Sequence, residues 1–464
     1  MDFYTYASPG AKNDDLRNEN TFRDYAECGF NAIFLTAKNG YNGEGWKGSN
    51  SEKCFELAKT VGIEKVILDD YRIIDLVRNK ELIGEGCQFN SQEELEKFVK
   101  DCMSDYAHEK SLFGLRICDE PNFPQLRQCG LVYRAVKKAG KELGLGYIYV
   151  HLNMLPLVGD AKIVNPNDGV ERTPAQIYEY YLSSFIEATG ADTLCVDNYP
   201  FRPRQNGGIF LLGYYTGLQI LRNVCDKYGI NMAFVLQSFE MIHKTKPEAT
   251  AGFRRITTIN EMMLQTNSVL AFGVSEISFY TYSNHGTSES SPYRSHDGSS
   301  FITEGGDKTR IYEFGKSAVS HAKTVAEKLK DYKFSGAKIL VHESCPKECE
   351  ELYVGKGEFN TLGGKIEGAS FDNSYRFESV KDIKTDSDIL LVSELKKDGG
   401  KMITLTNVLD IVYKYSVSPM TVKVDLGIDK IKVLRRGEWK EVLLKGGIYT
   451  TELNVGEADF IVIE

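Results

Sequence analysis

The chain has 464 residues, 42% of them apolar and 26% charged, the balance of a globular protein and not of a collagen, a coiled coil or a membrane-spanning bundle. A net charge of −9 and a pI of about 5.5, with no block of Lys or Arg, leave no electrostatic footprint for nucleic acid or an anionic membrane, so neither is expected as a partner. The 26 Tyr and 24 Phe beside only 2 Trp supply flat amphipathic faces that suit uncharged, hydroxyl-rich ligands as well as a core.

The chain opens Met1-Asp2-Phe3-Tyr4-Thr5-Tyr6, without a basic leader segment or a continuous apolar stretch, which reads as no signal peptide. Its ten Cys are scattered, and Cys28, Cys54, Cys102, Cys118, Cys195 and Cys225 lie inside apolar segments, as free core thiols do. A cytoplasmic location is expected, the alternative being a leader replaced at Met1. His342-Glu343-Ser344-Cys345-Pro346-Lys347-Glu348-Cys349 has ligand-type residues, but zinc would need a second pair at a defined spacing. It reads as a surface loop, and no metal or cofactor is expected.

Along the chain, short runs rich in Ile, Val, Phe and Tyr alternate with helical patterns. The runs are Phe3 to Tyr6, Ala32 to Thr36, Lys65 to Asp69, Leu112 to Cys118, Tyr147 to Asn153, Thr193 to Tyr199, Met232 to Gln237 and Ile277 to Tyr282. Between them Ser91-Gln92-Glu93-Glu94 and Thr258-Ile259-Asn260-Glu261 fit capping boxes, and Thr173-Pro174 pairs an N-cap with a first-turn proline. Gly29, Gly62, Gly190, Gly229 and Gly273 sit where helices should stop. Strand and helix alternating eight times predict an α/β fold, a (β/α)8 TIM barrel. The Ser, Gly and His-rich stretch Ser283 to Asp307 then falls between the eighth strand and the eighth helix, as a long loop over the barrel mouth. After the helical pattern Tyr312 to Leu329 no further helix is expected. Runs such as Asp388 to Val392, Lys401 to Thr406 and Asp459 to Ile463 predict a smaller all-β antiparallel sandwich. The expected domains are 1–332 for the barrel and 333–464 for the sandwich.

A barrel builds its active site at the C-terminal ends of its strands, so the polar residues closing each run are the candidates. Alternation along a strand sends every second side chain toward the barrel axis. By that parity Phe113, Leu115 and Ile117 face the helices, and Arg116, Cys118 and Glu120, rather than Asp119, face the axis. The same reasoning turns Asp69, His151, Asn153, Asp197, Tyr199, Gln237, Tyr280 and Tyr282 inward, while Glu240 reaches the centre only if the chain has already turned into its loop. Arg116 reads as a partner for a barrel carboxylate. Glu261 completes a capping box, and Glu276 opens the eighth strand on the stability face, so neither is expected to be catalytic.

A cluster of carboxylates with Tyr, His, Asn and Gln at one mouth suits glycoside hydrolysis, in which one carboxylic acid protonates the leaving oxygen and a second carboxylate acts as nucleophile or base. Cys118-Asp119-Glu120-Pro121 resembles the Asn-Glu-Pro or Asp-Glu-Pro signature of clan A glycoside hydrolases, whose acid/base Glu closes the fourth strand. Ala271-Phe272-Gly273 before Ile277 to Tyr282, and Val455 to Phe460, are similar to the end of the barrel and the last sandwich strand of glycosidase-like proteins, so the resemblance covers essentially the whole chain.

The resemblance implies a retaining glycosidase with Glu120 as general acid/base and, at the end of strand seven, Glu240 as nucleophile; Asp197 on strand six is the replacement for that role. Where the clan usually has Asn before the acid/base, this chain has Asp119, which implies a different pattern of bound sugar hydroxyls or a protonated Asp. Asp69, Asp119, His151, Asn153, Tyr199, Gln237, Tyr280 and Tyr282 are the expected substrate-binding residues, and an oligosaccharide or glycoside the expected partner. Two other readings stand beside it: a non-catalytic carbohydrate-binding barrel that has lost the second carboxylate, and a lyase or metal-dependent isomerase using Asp69, Asp197 and His151.

Overall fold

The computed structural model describes residues 1–78, 81–157, 166, 168–201, 213–240, 242–243, 257–283, 293–294, 298–355, 359–361, 364–366, 370–409, 418–435 and 437–463. In chain order the first part runs β1 (Asp2–Thr5), α1 (Glu19–Glu27), β2 (Ala32–Leu35), α2 (Asn50–Thr60), β3 (Lys65–Asp69), α3 (Tyr71–Val77), α4 (Gln92–Ser104), β4 (Leu112–Asp119), α5 (Phe123–Glu142), β5 (Tyr149–Met154), α6 (Pro174–Thr189), β6 (Thr193–Asp197), α7 (Tyr214–Tyr228), β7 (Asn231–Gln237), α8 (Ile259–Ala271), β8 (Glu276–Tyr280) and α9 (Arg310–Leu329).

Its strands form one parallel sheet in the order β1-β8-β7-β6-β5-β4-β3-β2, a (β/α)8 barrel. Side chains close it between β1 and β2. The Tyr25 hydroxyl accepts from the Thr5 amide at 3.0 Å and donates to the Ala32 carbonyl at 3.0 Å. Asn31 pairs with Phe3 in both directions, at 2.7 and 3.1 Å. Inward-facing Tyr4, Phe34, Ile67, Tyr149, Cys195, Ala233 and Val235 fill the interior, so the barrel is a packed core with polar groups left at its ends.

The helices begin where the caps place them. Thr173 with Gln176 and Thr258 with Glu261 form reciprocal capping boxes. At Ser91 only half of the expected box forms: Ser91 Oγ accepts from the Glu94 amide at 3.3 Å, while the Glu94 carboxylate turns back to the Asn90 amide at 2.9 Å.

The second part differs from expectation in one element: a helix, α10 (Lys347–Val354), follows β9 (Lys333–Val341) and occupies what reads in sequence as a loop. Its propensity is modest, and packing decides: Cys349 and Tyr353 are buried, and the Tyr353 ring stacks on Tyr215 of α7 at 5.7 Å. Besides a short pair, Phe359–Thr361 with Gly364–Ile366, the second part has β10 (Asp382–Thr385), β11 (Ile389–Lys397), β12 (Gly400–Asn407), β13 (Met420–Asp425), β14 (Lys430–Arg435), β15 (Glu438–Leu443), β16 (Ile448–Leu453) and β17 (Ala458–Ile463). They make an antiparallel six-stranded sheet, β9-β11-β12-β17-β14-β15, and a three-stranded sheet, β10-β13-β16.

Between the two sheets Leu390, Val392, Ile403, Leu405 and Ile461 meet Met420, Val422, Val424 and Leu453. The other face of the large sheet, with Leu391, Leu395, Met402 and Phe460, joins the core under the barrel helices, and Phe272 stacks on Phe334 at 5.3 Å. Burial on both faces explains why β11 reads as a continuous apolar run. A cavity of about 480 Å³ opens at this seam beside Asn267, His321, Arg435 and Gly456, on the helix side of the barrel and away from the strand ends. Among the described residues no helix is long and apolar enough to cross a membrane.

Candidate active site

The site begins with a register shift. Arg116 of β4 pairs with His151 of β5, but the next pair is Cys118 with Leu152, leaving Ile117 without a partner. This bulge adds one residue to β4, so the simple alternation expected of the strand fails at its end. Cys118 turns out to the helix side with Leu152, and Asp119 comes alongside Asn153 on the inner face, where its Oδ1 accepts from Asn153 Nδ2 at 3.2 Å. A second shift lies between the pairs Val66 with Leu112 and Ile67 with Gly114, and it carries Phe113 inward onto Tyr149 at 5.3 Å.

Glu120 follows at φ +48°, in the left-handed region that non-glycine residues occupy at a cost of about 1 to 2 kcal/mol. Three anchors hold it there: its own amide donates to the Asn153 carbonyl at 2.8 Å, Tyr181 Oη donates to the Pro121 carbonyl, and Asn122 caps α5 in a box with Gln125. The bulge and the left-handed turn therefore deliver both Asp119 and Glu120 to the mouth.

Arg116 lies beneath them. Its guanidinium forks onto Asp69, Nε to Oδ1 at 2.9 Å and Nη2 to Oδ2 at 2.6 Å, and reaches Asp119 Oδ2 with Nη1 at 2.9 Å. It also lies 5.2 Å from the Phe34 ring centre. Asp69 is fully buried and has both oxygens engaged by Arg116. The adjacent Asp70 caps α3 and is held by Arg72 and Tyr106.

Asp197 closes β6 and is also buried. Burial first, then the charges of Glu120 and Asp119, push its carboxyl well above the ordinary range, against the side chains of Tyr199 and Asn153 that face it. Asp197 thus keeps a proton where an exposed Asp would not. Among the described residues its buried Oδ1 has no hydrogen-bond partner, nor do Asn198 Oδ1 and Ser238 Oγ just past β6 and β7. Asn198 and Ser238 are absent from the parity reading because they fall on its outward positions, one residue beyond Asp197 and Gln237.

The aromatic wall is Tyr199, Tyr280 and Phe239: Tyr199 stacks on Tyr280 at 5.6 Å, and Phe239 meets both edge-on at 5.0 Å. Glu240 stands next to Phe239 past the end of β7, half-buried.

Besides Asp69, held by Arg116, three expected binding residues are placed elsewhere by their contacts. Gln237 Oε1 accepts from the Phe201 amide at 3.0 Å, and its Nε2 donates to the Phe239 carbonyl at 3.4 Å, so this amide ties two strand-end segments together. Tyr282 lies beyond the end of β8, packed among Tyr25, Phe30 and Phe301 on the helix side. His151 lies deeper than the mouth and is fully enclosed. Its Nε2 faces Tyr6 Oη at 2.6 Å, and its Nδ1 faces Tyr149 Oη at 3.2 Å and Tyr4 Oη at 3.4 Å. Burial and the charge of Arg116 push it down to about 3, so the ring is neutral. Tyr6, alternating inward with Tyr4 in the first run, was open to the same parity argument as the others. Of Ser283 to Asp307, positions 284–292 and 295–297 lie outside the described residues. Among the described residues no group of three His, Cys, Asp or Glu is placed to hold a metal ion.

The architecture is a (β/α)8 barrel followed by an antiparallel module. Among solved structures it is similar to a glycoside hydrolase (TM-score 0.52, 10% identity, 99% of this chain and 91% of the other). A glycoside hydrolase family 5 protein from Bacteroides vulgatus is similar at TM-score 0.53 and 9% identity, over 100% of this chain and 89% of the other. A variant of AmyP in complex with maltotriose is similar at TM-score 0.53 and 11% identity, over 100% and 97%. No protein-family model and no curated protein sequence matches the chain.

Proposed function

We propose that this protein is a glycoside hydrolase acting on an oligosaccharide or glycoside at the mouth formed by Asp119, Glu120, Asn153, Asp197 and Tyr199. The observation that carries the reading is Asp197: a buried carboxyl beside Glu120 and Asp119, pushed toward its protonated form by burial and by their charges, with one oxygen that has no hydrogen-bond partner among the described residues. Like charges at close range do not all ionise together, so neighbouring acids divide into a proton holder and a carboxylate. That division is what glycoside hydrolysis requires.

In the proposed reaction the proton resting on Asp197 passes to Glu120, which delivers it to the glycosidic oxygen as the bond from the anomeric carbon breaks, and the second carboxylate, Glu240 or the now ionised Asp197, attacks that carbon. Glu120 then takes a proton from water, whose oxygen displaces the enzyme carboxylate, so configuration is retained. Asn153, Asn198 and Ser238 offer groups for sugar hydroxyls, and Tyr199 and Tyr280 offer a face for the ring.

The test is hydrolysis of a panel of aryl glycosides and oligosaccharides by the wild-type protein and by Glu120→Gln, Asp197→Asn and Glu240→Gln. Loss of turnover in Glu120→Gln supports the acid/base role, and full activity there refutes it. Azide identifies the partner: it restores turnover to a variant lacking the nucleophile as the glycosyl azide of inverted configuration. A wild-type protein that binds sugars but cleaves no member of the panel would be a carbohydrate-binding barrel.

A further inference from the structure

A file of hydrogen-bonding groups runs through the barrel from its closed end to the mouth. At the bottom Glu276 opens β8, buried, with Oε2 accepting from Tyr149 Oη at 3.0 Å and from Tyr4 Oη at 3.5 Å. Both hydroxyls face His151 Nδ1, at 3.2 and 3.4 Å, and His151 Nε2 faces Tyr6 Oη at 2.6 Å. Tyr6 follows β1 at the mouth, in the field of Asp119 and Arg116 and 5.8 Å from the Tyr280 ring.

A neutral imidazole carries one proton on its two nitrogens, so it donates on one side and accepts on the other. With Glu276 ionised, the carboxylate is the strongest acceptor in the file and draws the Tyr149 and Tyr4 protons. Their oxygens then accept from His151 Nδ1–H, Tyr6 O–H donates to Nε2, and the Tyr6 oxygen is left as an acceptor at the mouth, beside the donor-only Arg116. With Glu276 protonated, its O–H donates to Tyr149, Tyr149 donates to Nδ1, Nε2–H donates to Tyr6, and Tyr6 O–H is left to donate at the mouth, beside Asp119. The two states differ by the one proton on Glu276.

We propose that Glu276 and His151 are positioning residues: the protonation of Glu276 sets the tautomer of His151, and through it whether Tyr6 donates or accepts at the barrel mouth. Burial, opposed by the Tyr149 hydrogen bond and aided by the charge of Asp2, pushes Glu276 up to about 7, so both states are populated near neutrality. The other groups facing it are accounted for. Lys65 is paired with Asp2 at 2.7 Å. Asp192 takes the Tyr147 hydroxyl at 3.0 Å and Lys137 at 3.4 Å. Burial raises the Cys195 thiol well above its usual value, so it stays neutral.

The role at the mouth rests on the glycosidase reading; the tautomer switch does not, and it is measured without substrate. In 15N-histidine-labelled protein, which has only 7 His, the His151 resonances are assigned by their absence from His151→Gln. Across pH 5 to 9 the proton is expected on Nε2 at the acid end and on Nδ1 at the alkaline end, with one fixed tautomer throughout in Glu276→Gln. A single tautomer over the whole range in the wild type overturns the proposal, as does a switch that persists in Glu276→Gln. If Glu276→Gln does not fold, the double variant Tyr4→Phe with Tyr149→Phe, which breaks both branches, should remove the switch instead. In the hydrolysis assay the neutral inflection of kcat/KM should disappear in Glu276→Gln. An unchanged profile alongside an intact switch would refute the positioning role while leaving hydrolysis standing, whereas absence of hydrolysis refutes the glycosidase reading alone.

Discussion

Arg116 and Asp69 meet fork to fork inside the barrel, at 2.9 and 2.6 Å, and the same guanidinium spends its remaining arm on Asp119 at the mouth. One cation thus balances a carboxylate of the barrel core and a carboxylate of the candidate site. Removing it leaves Asp69 buried and uncompensated, which costs about 3 to 5 kcal/mol. Arg116→Ala should lower the urea midpoint accordingly. Arg116→Lys should recover only part of the loss, because an ammonium cannot reproduce the bidentate fork.

Asp197→Asn keeps the shape of the side chain and removes its proton chemistry. If the Glu120 and Asp197 pair carries the reaction, kcat on an aryl glycoside should fall about 100-fold or more, with far-UV circular dichroism unchanged. A kcat within a factor of two of wild type would remove Asp197 from the mechanism.

The Tyr199 and Tyr280 rings form the stacked wall of the mouth. Replacing Tyr280 by Ala removes an aromatic face worth about 0.5 to 1.5 kcal/mol, so KM for an oligosaccharide should rise about 2- to 10-fold with a smaller change in kcat. Tyr282→Phe, in the packed cluster on the helix side, should leave KM unchanged.

Glu276 also marks the pH dependence of stability. Its folded value of about 7 lies above that of an unfolded Glu, about 4.3. The native state therefore holds this proton more tightly, and the contribution is present in full below about pH 4.3 and lost as pH rises through about 7. Relative to Glu276→Gln, the wild type should lose about 3 kcal/mol across that interval, read from urea midpoints at a series of pH values.

Much of this was legible in the sequence because it rests on period and punctuation. The strands of the barrel follow the apolar runs, and Thr173 and Thr258 cap the helices they announce. What escaped depends on tertiary register. The bulge at Ile117 leaves no mark in the alternation of Leu115, Arg116, Ile117 and Cys118, yet it brings Asp119 to the inner face. Gln237 reads as a ligand group until the Phe201 amide and the Phe239 carbonyl are seen to use it. The helix Lys347–Val354 lacks the length to announce itself and exists through Tyr353 packing on Tyr215. Tyr6 was a readable residue whose partner, His151, is brought to it only in three dimensions.

Gly456 sits where the β17 side of the module meets α8. Its φ is +80°, and a Cβ there would lie 2.1 Å from the Asn260 carbonyl oxygen. Backbone against backbone cannot yield, so Gly456→Ala should lower the melting temperature by several degrees, with a left-handed penalty of about 1 to 2 kcal/mol added to the clash. Ala at the exposed Gly437, which meets nothing within 4 Å, should show only the backbone penalty.

The large sheet of the C-terminal module is covered on both faces, one by its partner sheet and the other by the barrel's own helices. Neither half owns the layer of Phe272, Phe334, Leu395 and Phe460 between them. A chain cut at the junction would present that layer to water on both fragments, so heating the intact protein should yield one calorimetric transition, with a van't Hoff enthalpy matching the measured one. Any change that loosens the module is then felt by the barrel as a loss of foldedness.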